Sequence, residues 1–403
     1  AEQNRPEEAA REFTQALELR PDFPELHANL SHVYEQLGRL NVAVASAERA
    51  VELNPDFAAG WNNLGIALRS AHRIEDAIAA FRKAVALSPD FALAEFNLGS
   101  THLLAGNYAE GWPLYARRVE SLGAASRETV VPRWQGERLE GQSLLVCADQ
   151  GFGDAIQFAR FLKQAKDRSG ATIVFECQPK LRELMTTCAG ADVVIAARDP
   201  LPSIDAHIPL AVLPSILRID STQLSEHVPY LQSQDRPPGK LANLAERSRK
   251  LIGLVWQGNP KQQRDAVRSC PLRKLIPVLE TPGALFVSLQ VDDPGHRQLV
   301  ELFPSGLPEN LIDAREELHG FAETAALLAQ LDLVITVDTS TAHLAGALGL
   351  PVWTMLCHTP DWRWHLDRND SPWYPTMRLF RQPAWGNWDA VAEEICTNLR
   401  RIL

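Results

Sequence analysis

Cysteine is scarce in this sequence, and its spacing argues against a cross-linked or zinc-stapled fold. Six cysteines are scattered among 403 residues, and no two of them form a Cys-x-x-Cys pair or stand in a cluster with histidine. A structural zinc site needs closely spaced cysteine or histidine ligands, so no metal site is expected. We predict free thiols, as in the reducing cytoplasm.

Long apolar runs and an excess of positive charge are also missing. No stretch reaches the roughly 18 continuous apolar residues of a membrane span. The first residues, AEQNRPEEAAREF, lack the apolar core of a signal peptide. The formal net charge is −10, whereas a protein that binds nucleic-acid phosphates needs a basic face. We therefore predict a cytoplasmic protein with no membrane span and no nucleic-acid partner.

What is present is the composition of an ordinary folded protein. Hydrophobic residues make up 45% of the chain and charged residues 22%, the mix expected of globular domains. The length of 403 residues predicts two or three domains, each large enough to bury its own core.

The first third of the sequence repeats with a period of 34 residues. The recurring positions are Pro21, Pro55 and Pro89, then Ala9, Ala43 and Ala77, then Ala16, Ala50 and Ala84, then Leu30, Leu64 and Leu98. Small residues such as Gly65 and Ala77 let two antiparallel helices approach closely. Aromatic residues such as Trp61 and Phe81 fill the space beside them. This pattern predicts stacked helical hairpins.

The repeats resemble the tetratricopeptide repeat, and we assign residues 1–122 to such an array. Units begin near Pro24, Ala58 and Ala92, and residues 7–20 match only the second helix of an earlier unit. Because an uncapped repeat exposes its stacking face, we hypothesise a longer array. The degenerate third unit is expected to cap the array or to dock on the next domain. Such arrays often bind a protein or peptide, and a purely architectural or oligomer-forming role is the alternative.

From residue 141 onwards, short apolar runs alternate with helical stretches. The predicted strands are 143–148, 172–177, 192–197, 251–259, 285–290, 333–338 and 351–356, and residues 206–213 are predicted to change from strand to helix. This alternation predicts parallel sheets covered by helices on both faces. A polar Pro-Pro-Gly segment at 233–250 divides the region into lobes at 141–235 and 248–403, the second ending in a helix near 388–402. The predicted fold class is α + α/β, with helical repeats followed by a two-lobe, double Rossmann-like domain.

The first candidate motif, Gly151-Phe152-Gly153-Asp154, directly follows the first predicted strand. Its two glycines permit a tight turn and the close approach of a ligand. The helix that starts near Asp154 is expected to direct N–H groups and the positive end of its dipole into a cleft between the two lobes. Ile156 stands where a dinucleotide fingerprint needs its third glycine, so that fingerprint is excluded. The alternative role for Asp154 is to cap its helix.

The second candidate motif lies in the segment VITVDTSTAHLAGALGLPVW. A buried strand is predicted to end at Asp338, and Thr339, Ser340 and Thr341 supply hydroxyls at the start of the next helix. His343 lies in the first turn of that helix. A diphosphate bound at a helix N-terminus is physically well founded. The alternative is a capped helix with a hydrogen-bonded histidine and no ligand.

The third candidate motif, VWQGNPKQQRDAVRSCPL, follows the first strand of the second lobe. Gln257, Gly258 and Asn259 suit a turn that approaches a ligand. Lys261 and Arg268 bring positive charge, and arginine suits bidentate phosphate contact. Lys261 and Arg268 are both candidates for the phosphate contact. The alternative is that the segment is a solvated basic loop.

Three further features have less specific signals. Gln290 ends a predicted strand on the cleft side. Ile312 and Asp313 follow an inferred short strand, where their backbone groups could approach a nucleobase. An aromatic-rich stretch covers residues 361–365 and continues at Trp373 and Tyr374. Such rings either stack on a sugar or pack between the lobes.

Residues 141–400 resemble the heptosyltransferase-type glycosyltransferases, a bacterial family with the two-lobe GT-B fold. The matching stretches are GFGDAIQFARF, the loop 256–269 and FAETAALLAQLDLVITVDTSTAHLAGALGLPVW. The resemblance implies inverting, metal-independent transfer of a sugar from a nucleotide diphosphate sugar to an acceptor hydroxyl, with no cofactor. It implies that Asp154 is the general base.

The same resemblance implies that Asp338, Thr339 and His343 bind the donor. Ser340 stands where these transferases usually have glycine, and its side chain narrows the approach to the diphosphate. By analogy with repeat-bearing transferases, the array implies a protein or peptide acceptor.

Two other functional classes fit the sequence. One is an adaptor or scaffold, in which a transferase fold without activity is fused to a repeat array. The other is a nucleotide-sugar epimerase, because some epimerases share the two-lobe fold. The sugar, the nucleobase, the acceptor and the oligomeric state are left open.

Overall fold

Seven α-helices form the described part of the repeats. The computed structural model describes residues 5–118, 130–148, 151–234, 249–262 and 264–403. The repeat helices are α1 (Arg5–Leu19), α2 (Pro24–Gln36), α3 (Leu40–Leu53), α4 (Ala58–Ser70), α5 (Ile74–Leu87), α6 (Ala92–Leu104) and α7 (Tyr108–Tyr115). The first helices of the three units begin at the residues that the sequence predicts, and α1 covers most of residues 7–20, which match the second helix of a repeat. The helical-repeat architecture is confirmed.

The turn inside each repeat uses one residue with left-handed backbone geometry. The φ angle is 71° at Gly38, 61° at His72 and 82° at Gly106. Each residue directly follows the C-cap of the first helix of its unit, where a positive φ closes the last turn. Glycine adopts this backbone conformation without strain, whereas a residue with a Cβ atom, such as His72, adopts it only with some strain.

Small residues in the repeats lie where two helices touch. A Cβ atom built on Gly65 would lie 2.6 Å from the ring of Phe81. A Cβ atom on Gly99 would lie 2.4 Å from the backbone nitrogen of Tyr115 in α7. Ala77 is fully buried. The predicted close approach of paired helices is therefore what the small residues provide.

We expect Gly99→Ala to lower the free energy of unfolding of the repeats by about 1–3 kcal/mol, because the added methyl must displace backbone atoms of α7. Alanine's better helix propensity offsets only part of this loss. Gly60→Ala is the matched control, since its methyl would meet the Phe57 ring at 2.6 Å, and a ring can rotate away. Thermal unfolding followed by circular dichroism compares the variants, and equal stability of the two would contradict the interpretation.

The segment Asp361–Leu366 belongs to the same compact unit as the repeats, although it comes from the C-terminal part of the sequence. Its 3₁₀ turn places the Trp362 ring edge-on to the rings of Trp112 and Tyr115, with centroids 5.5 and 5.2 Å away. Trp364 is fully buried. These indoles are packing residues, so the sugar-stacking interpretation of residues 361–365 is wrong.

His365 secures the same segment with both of its ring nitrogens. Nδ1 donates to the carbonyl oxygen of Leu104 at 2.9 Å, and Nε2 accepts from the hydroxyl of Tyr108 at 2.9 Å. The last unit of the array, which is degenerate in sequence, therefore binds a segment from elsewhere in the chain.

The second compact unit, residues 125–360 and 367–403, contains two parallel sheets. The first lobe has strands β1 (Ser143–Cys147), β2 (Thr172–Cys177), β3 (Val193–Ala196) and β4 (Ala206–Pro209), in the order β3-β2-β1-β4. Its helices are α8 (Phe152–Phe158), α9 (Leu162–Ser169), α10 (Arg182–Met185) and α11 (Leu213–Leu217). Every strand pair is parallel, as βαβ connections require.

The second lobe has strands β5 (Lys250–Val255), β6 (Ala284–Ser288), β7 (Leu311–Asp313), β8 (Leu333–Val337), β9 (Val352–Leu356) and β10 (Met377–Arg381), in the order β10-β9-β8-β5-β6-β7. Its helices are α12 (Asp265–Arg268), α13 (Ile276–Leu279), α14 (Asp293–Leu302), α15 (Phe321–Leu328), α16 (Ser340–Ala347) and α17 (Trp388–Ile402). In the described ranges, none of the helices has the length and apolarity that a membrane crossing requires.

The α + α/β fold class and the two-lobe architecture are confirmed. The sequence did not predict β10, because its charged residues interrupt the apolar run. The predicted change from strand to helix within 206–213 is confirmed, since β4 ends at Pro209 and is followed by a 3₁₀ turn and then by α11. The predicted domain boundaries at 122, 235 and 248, and most of the linker 233–250, lie outside the described residues.

All six cysteines are buried, free thiols. Burial raises the pKa of Cys177 and of Cys188 to about 12, and the pKa of Cys357 to about 11. Since the thiolate is the reactive form, these side chains are chemically inert near neutral pH.

Candidate functional site

Helices α8 and α16 follow the carboxyl ends of β1 and β8 in the chain, and these two helices pack against each other. A Cβ atom built on Gly153 would lie 2.9 Å from Cδ2 and 3.6 Å from Nε2 of His343. Two motifs that are far apart in the sequence are therefore neighbours. The carboxyl ends of the strands are where open parallel sheets bind their ligands.

Asp154 lies in the first turn of α8 and is partly exposed. Gly151 is the N-cap residue of this helix, so the cap position predicted as an alternative for Asp154 is already taken. A Cβ atom on Gly151 would lie 2.8 Å from Oδ2 of Asp154. Because Gly151 has no side chain, the carboxylate of Asp154 fits next to it. Phe152 secures the loop on the second lobe, with its ring centroid 5.0 Å from that of Phe321.

Thr339 is the N-cap residue of α16 and follows Asp338. Its hydroxyl oxygen lies 3.1 Å from that of Thr336, and the Thr336 hydroxyl donates to the carbonyl oxygen of Val337 at 2.8 Å. Because Thr336 has a single hydroxyl proton, Thr339 is the donor between the two side chains. The Thr339 hydroxyl is thus bonded to Thr336, and the prediction that it binds the donor phosphate is revised. The N–H groups in the first turn of α16 are better placed for that role.

His343 is held between α8 and a buried tyrosine. It is 5% exposed, and its Nδ1 lies 2.9 Å from the hydroxyl oxygen of Tyr374. The Tyr374 ring lies directly on α16, because a Cβ atom on Gly346 would come within 2.5 Å of it. Burial raises the pKa of Tyr374 well above its ordinary value. Tyr374 is therefore a neutral phenol beside the imidazole.

Arg268 connects the loop after β5 to the end of β8. Its Nη1 donates to the backbone carbonyl oxygen of Asp338 at 3.0 Å, and its Nε donates to the buried carboxylate of Asp265 at 3.2 Å. A Cβ atom on Gly258 would lie 2.4 Å from that carboxylate and 2.5 Å from Nη2 of Arg268. Lys261 is exposed. The geometry thus places Arg268, rather than Lys261, beside the end of β8.

The exposed part of the same loop is held by its own polar side chains. Oδ1 of Asn259 accepts a hydrogen bond from the backbone N–H of Lys261 at 3.0 Å. Nη2 of Arg264 donates to the carbonyl oxygen of Thr359 at 3.1 Å. Asn259 therefore shapes the turn that carries Lys261.

Gln290 braces the strand ends and is 3% exposed. Its Oε1 accepts from the backbone N–H groups of Trp256 and Gln257, each at 3.2 Å. Its Nε2 donates to the carbonyl oxygen of Gln257 at 3.0 Å and to Asp292. The side chain of Gln257 is occupied in turn, since its Oε1 accepts from Gln298 at 2.6 Å. Both glutamines therefore support the loop after β5. The prediction that they bind the nucleotide-sugar donor is revised.

The residues brought together offer a specific set of chemical groups. Asp154 supplies a carboxylate on one side, whereas the first turn of α16 and Arg268 supply N–H donors on the other, beside the imidazole of His343. Such donors stabilise negative charge that develops on a leaving group. Within the described ranges, no group of three or more His, Cys, Asp or Glu side chains is placed to hold a metal ion.

Family models match two parts of the chain. Tetratricopeptide repeat models match residues 1–38, 29–90 and 62–126. The model of glycosyltransferase family 9 (heptosyltransferase) matches residues 318–394, which include the strand end and helix start from Asp338 to His343. The chain carries tetratricopeptide repeats and a heptosyltransferase-family domain.

Several known proteins are similar to parts of this chain. Protein FlbA of Caulobacter vibrioides is 30% identical over 331 residues, which cover 75% of this chain and 54% of FlbA. The chain thus spans about half the length of this curated relative. E. coli ADP-heptose LPS heptosyltransferase II is 14% identical, with a TM-score of 0.44 over 64% of this chain and 99% of that one. A crystal structure of MamA is 25% identical, with a TM-score of 0.26 over 28% of this chain and 65% of that one.

We expect Arg268→Ala to weaken the binding of a nucleoside diphosphate to the heptosyltransferase-family domain by about tenfold or more, as expected for one charge-assisted hydrogen bond. Lys261→Ala is the matched control and should bind as the unaltered protein does, because Lys261 is exposed and outside the contact with β8. Isothermal titration calorimetry measures both affinities. A larger loss in the Lys261 variant would reverse the assignment.

Sequence reasoning missed two residues next to the site, Arg160 and Tyr230. Arg160 is 3% exposed and lies among the rings of Tyr230, Trp373 and Tyr374. The sequence signal for Arg160 is the single charged residue in the largely apolar run QFARFL. A buried helix does not need such a charge for packing. Trp373 and Tyr374 pack between the lobes, in agreement with one of the two interpretations of that stretch.

Proposed function

We propose that this chain is a glycosyltransferase that transfers a sugar from a nucleotide diphosphate sugar to an acceptor hydroxyl. The contact between Gly153 and His343 supports this proposal, because it brings the first turn of α8, which carries Asp154, beside the start of α16, where we propose that the diphosphate binds. The family 9 match over residues 318–394 supports the same general chemistry. We propose that the reaction inverts the anomeric centre and needs neither metal nor cofactor.

In the proposed mechanism, Asp154 removes the proton from the acceptor hydroxyl as its oxygen attacks the anomeric carbon. The bond between that carbon and the diphosphate oxygen breaks, and the nucleoside diphosphate leaves with the electron pair. Attack from the face opposite the leaving group inverts the anomeric configuration. The first turn of α16, His343 and Arg268 stabilise the negative charge that the diphosphate gains.

We further propose that the repeats recruit a protein or peptide acceptor, and that the reaction takes place in the cytoplasm. The tetratricopeptide repeat matches over residues 1–126 support the first part, because stacked helical repeats present an extended surface to which proteins bind.

A thermal-shift panel with UDP, GDP, ADP, TDP and CMP tests the donor site. A ligand at 100 times its Kd adds about 2.7 kcal/mol to the state that binds it, which raises the Tm of a domain of this size by about 5–10 °C. We expect one nucleoside diphosphate to give this shift, His343→Ala to lose it, and His319→Ala, an exposed histidine in the same lobe, to keep it. No response to any nucleotide would favour the inactive adaptor instead.

A further inference from the structure

Asp265 is a buried carboxylate that is paired with Arg268. It is 6% exposed and begins α12, the short helix in the loop after β5. Its Oδ1 accepts a hydrogen bond from Nε of Arg268 at 3.2 Å. A carboxylate that is removed from water needs such a partner, because burying an unpaired charge is costly. The sequence analysis did not select Asp265, since one acidic residue in a polar loop has no distinctive pattern.

The Asp265–Arg268 pair lies directly on the backbone of Gly258. A Cβ atom built on Gly258 would lie 2.4 Å from Oδ1 of Asp265 and 2.5 Å from Nη2 of Arg268. The backbone N–H of Gly258 donates to the hydroxyl of Ser269 at 3.0 Å, which holds this part of the loop in place. The ion pair therefore occupies the space that a side chain at position 258 would fill.

The guanidinium of Arg268 uses two of its three nitrogens for acceptors within the protein. Nε binds Asp265, and Nη1 donates to the backbone carbonyl oxygen of Asp338 at 3.0 Å. Among the described residues, Nη2 has no hydrogen-bond acceptor, and it is not one of the buried polar atoms. Because the guanidinium is planar, the two bonds also fix the direction in which Nη2 points its N–H groups.

Arg268 lies where the order of the strands in the second lobe reverses. From β5 the chain proceeds through β6 and β7 to one edge of the sheet, and then through β8, β9 and β10 to the other. Arg268 reaches from the loop after β5 to the end of β8, so it crosses this point. Open parallel sheets bind their ligands at the carboxyl ends of the strands beside such a reversal. The N–H groups of Nη2 are therefore close to the place where a ligand is expected.

We propose that Asp265 is a positioning residue, which holds Arg268 so that Nη2 donates to the diphosphate. Asp265 acts through Arg268 and does not touch the ligand. Its negative charge offsets that of the guanidinium, so it fixes the geometry while weakening the net attraction to an anion. A side chain that is already fixed loses less rotational freedom when the ligand binds. The diphosphate rests on the proposed function, whereas the fixed guanidinium does not.

Proton spectra of the full chain, labelled with ¹⁵N-arginine, test the position of Arg268 without a ligand. Arg268→Lys assigns the Nε–H signal of Arg268 by its disappearance. We expect this proton to exchange slowly with water in the unaltered protein and in Asp265→Asn, whose amide oxygen still accepts the hydrogen bond. In Asp265→Ala the exchange should be faster by about tenfold or more. Equally fast exchange in the unaltered protein and in Asp265→Ala would overturn the proposal, whether or not a nucleotide binds.

The functional consequence is measured as nucleoside diphosphate affinity, with the nucleotide that the thermal-shift panel identifies. We expect Asp265→Ala to bind about 3- to 10-fold more weakly. Asp265→Asn should bind at least as tightly as the unaltered protein, because it keeps the hydrogen bond and removes a negative charge beside the diphosphate. Equal losses in the two variants would overturn the positioning role. If no nucleotide binds, the proposed function and the diphosphate contact fail together, while the exchange rates still show whether Asp265 holds Arg268.

Gly258→Ala tests the same arrangement without deleting either charged side chain. Its methyl would occupy the position of the ion pair, so we expect the faster exchange and the weaker binding that Asp265→Ala shows. This variant decides the question if Asp265→Ala does not fold. Slow exchange together with unchanged affinity in Gly258→Ala would contradict the proposal, because the pair would then tolerate displacement.

Asp370→Ala is the matched control in the same lobe. Asp370 accepts from Nε of Arg368 at 2.8 Å and is paired with the edge strand β10, which is separated from β5 by β9 and β8. We expect the Arg268 signal and the nucleotide affinity to be unchanged in this variant. A loss of affinity as large as that in Asp265→Ala would indicate a general effect of removing an ion pair and would overturn the positioning role.

Discussion

Asp154→Asn is expected to lower the rate of sugar transfer by about 10²–10⁴-fold, the contribution of a general base. Asparagine fills nearly the same volume beside Gly151 but does not accept the proton from the acceptor hydroxyl. Nucleotide binding should stay nearly unchanged, because the donor groups belong to the second lobe. Release of nucleoside diphosphate in the presence of EDTA measures transfer and tests metal independence in the same assay.

Asp167→Asn is the matched control for that substitution. Asp167 lies in the helix after α8 and forms an exposed ion pair with Lys163 at 2.8 Å, so its loss changes little. We expect full activity in this variant. If Asp154→Asn loses nucleotide binding and stability along with transfer, the carboxylate is a structural element of the loop. If transfer stops when EDTA is added, the metal-independent mechanism is wrong.

Gly153→Ala is expected to lower both nucleotide affinity and transfer by at least tenfold. The added methyl would lie 2.9 Å from Cδ2 of His343, closer than real Cβ atoms approach. His343 has little freedom to move, because it is buried and its Nδ1 is bound to Tyr374. Either the imidazole leaves its position or the two lobes separate at α8 and α16, and both changes disrupt the site.

Gly320→Ala is the matched control at the same contact between the lobes. Its methyl would lie 2.9 Å from Oε2 of Glu323, the end of a flexible side chain, and 3.8 Å from the carbonyl oxygen of Lys180. We expect a small loss of stability and nearly unchanged activity. Nucleotide titration and the transfer assay compare the two variants. Equal activity in both would mean that the close contact between Gly153 and His343 does not matter for function.

Periodicity made the repeats and the strands predictable. A 34-residue spacing of small residues indicates helices that must touch, so Ala77 and Gly65 identify the packing from the sequence alone. Short apolar runs indicate strands that are buried on both faces, as in parallel sheets covered by helices. The loops after β1, β5 and β8 could be singled out because glycines and polar residues directly follow such runs. Local pattern was enough in each of these cases.

The sequence by itself thus determined the fold class, the repeat array and the three loops that form the site. The tertiary structure alone decided which side chains meet there. It placed Arg268 beside Asp338, turned Gln290 inward, packed residues 361–366 on the repeats and surrounded Arg160 with aromatic rings. The physical reason is that local pattern depends on residues close in the chain. A hydrogen-bond partner or a ring contact depends on residues that only folding brings together.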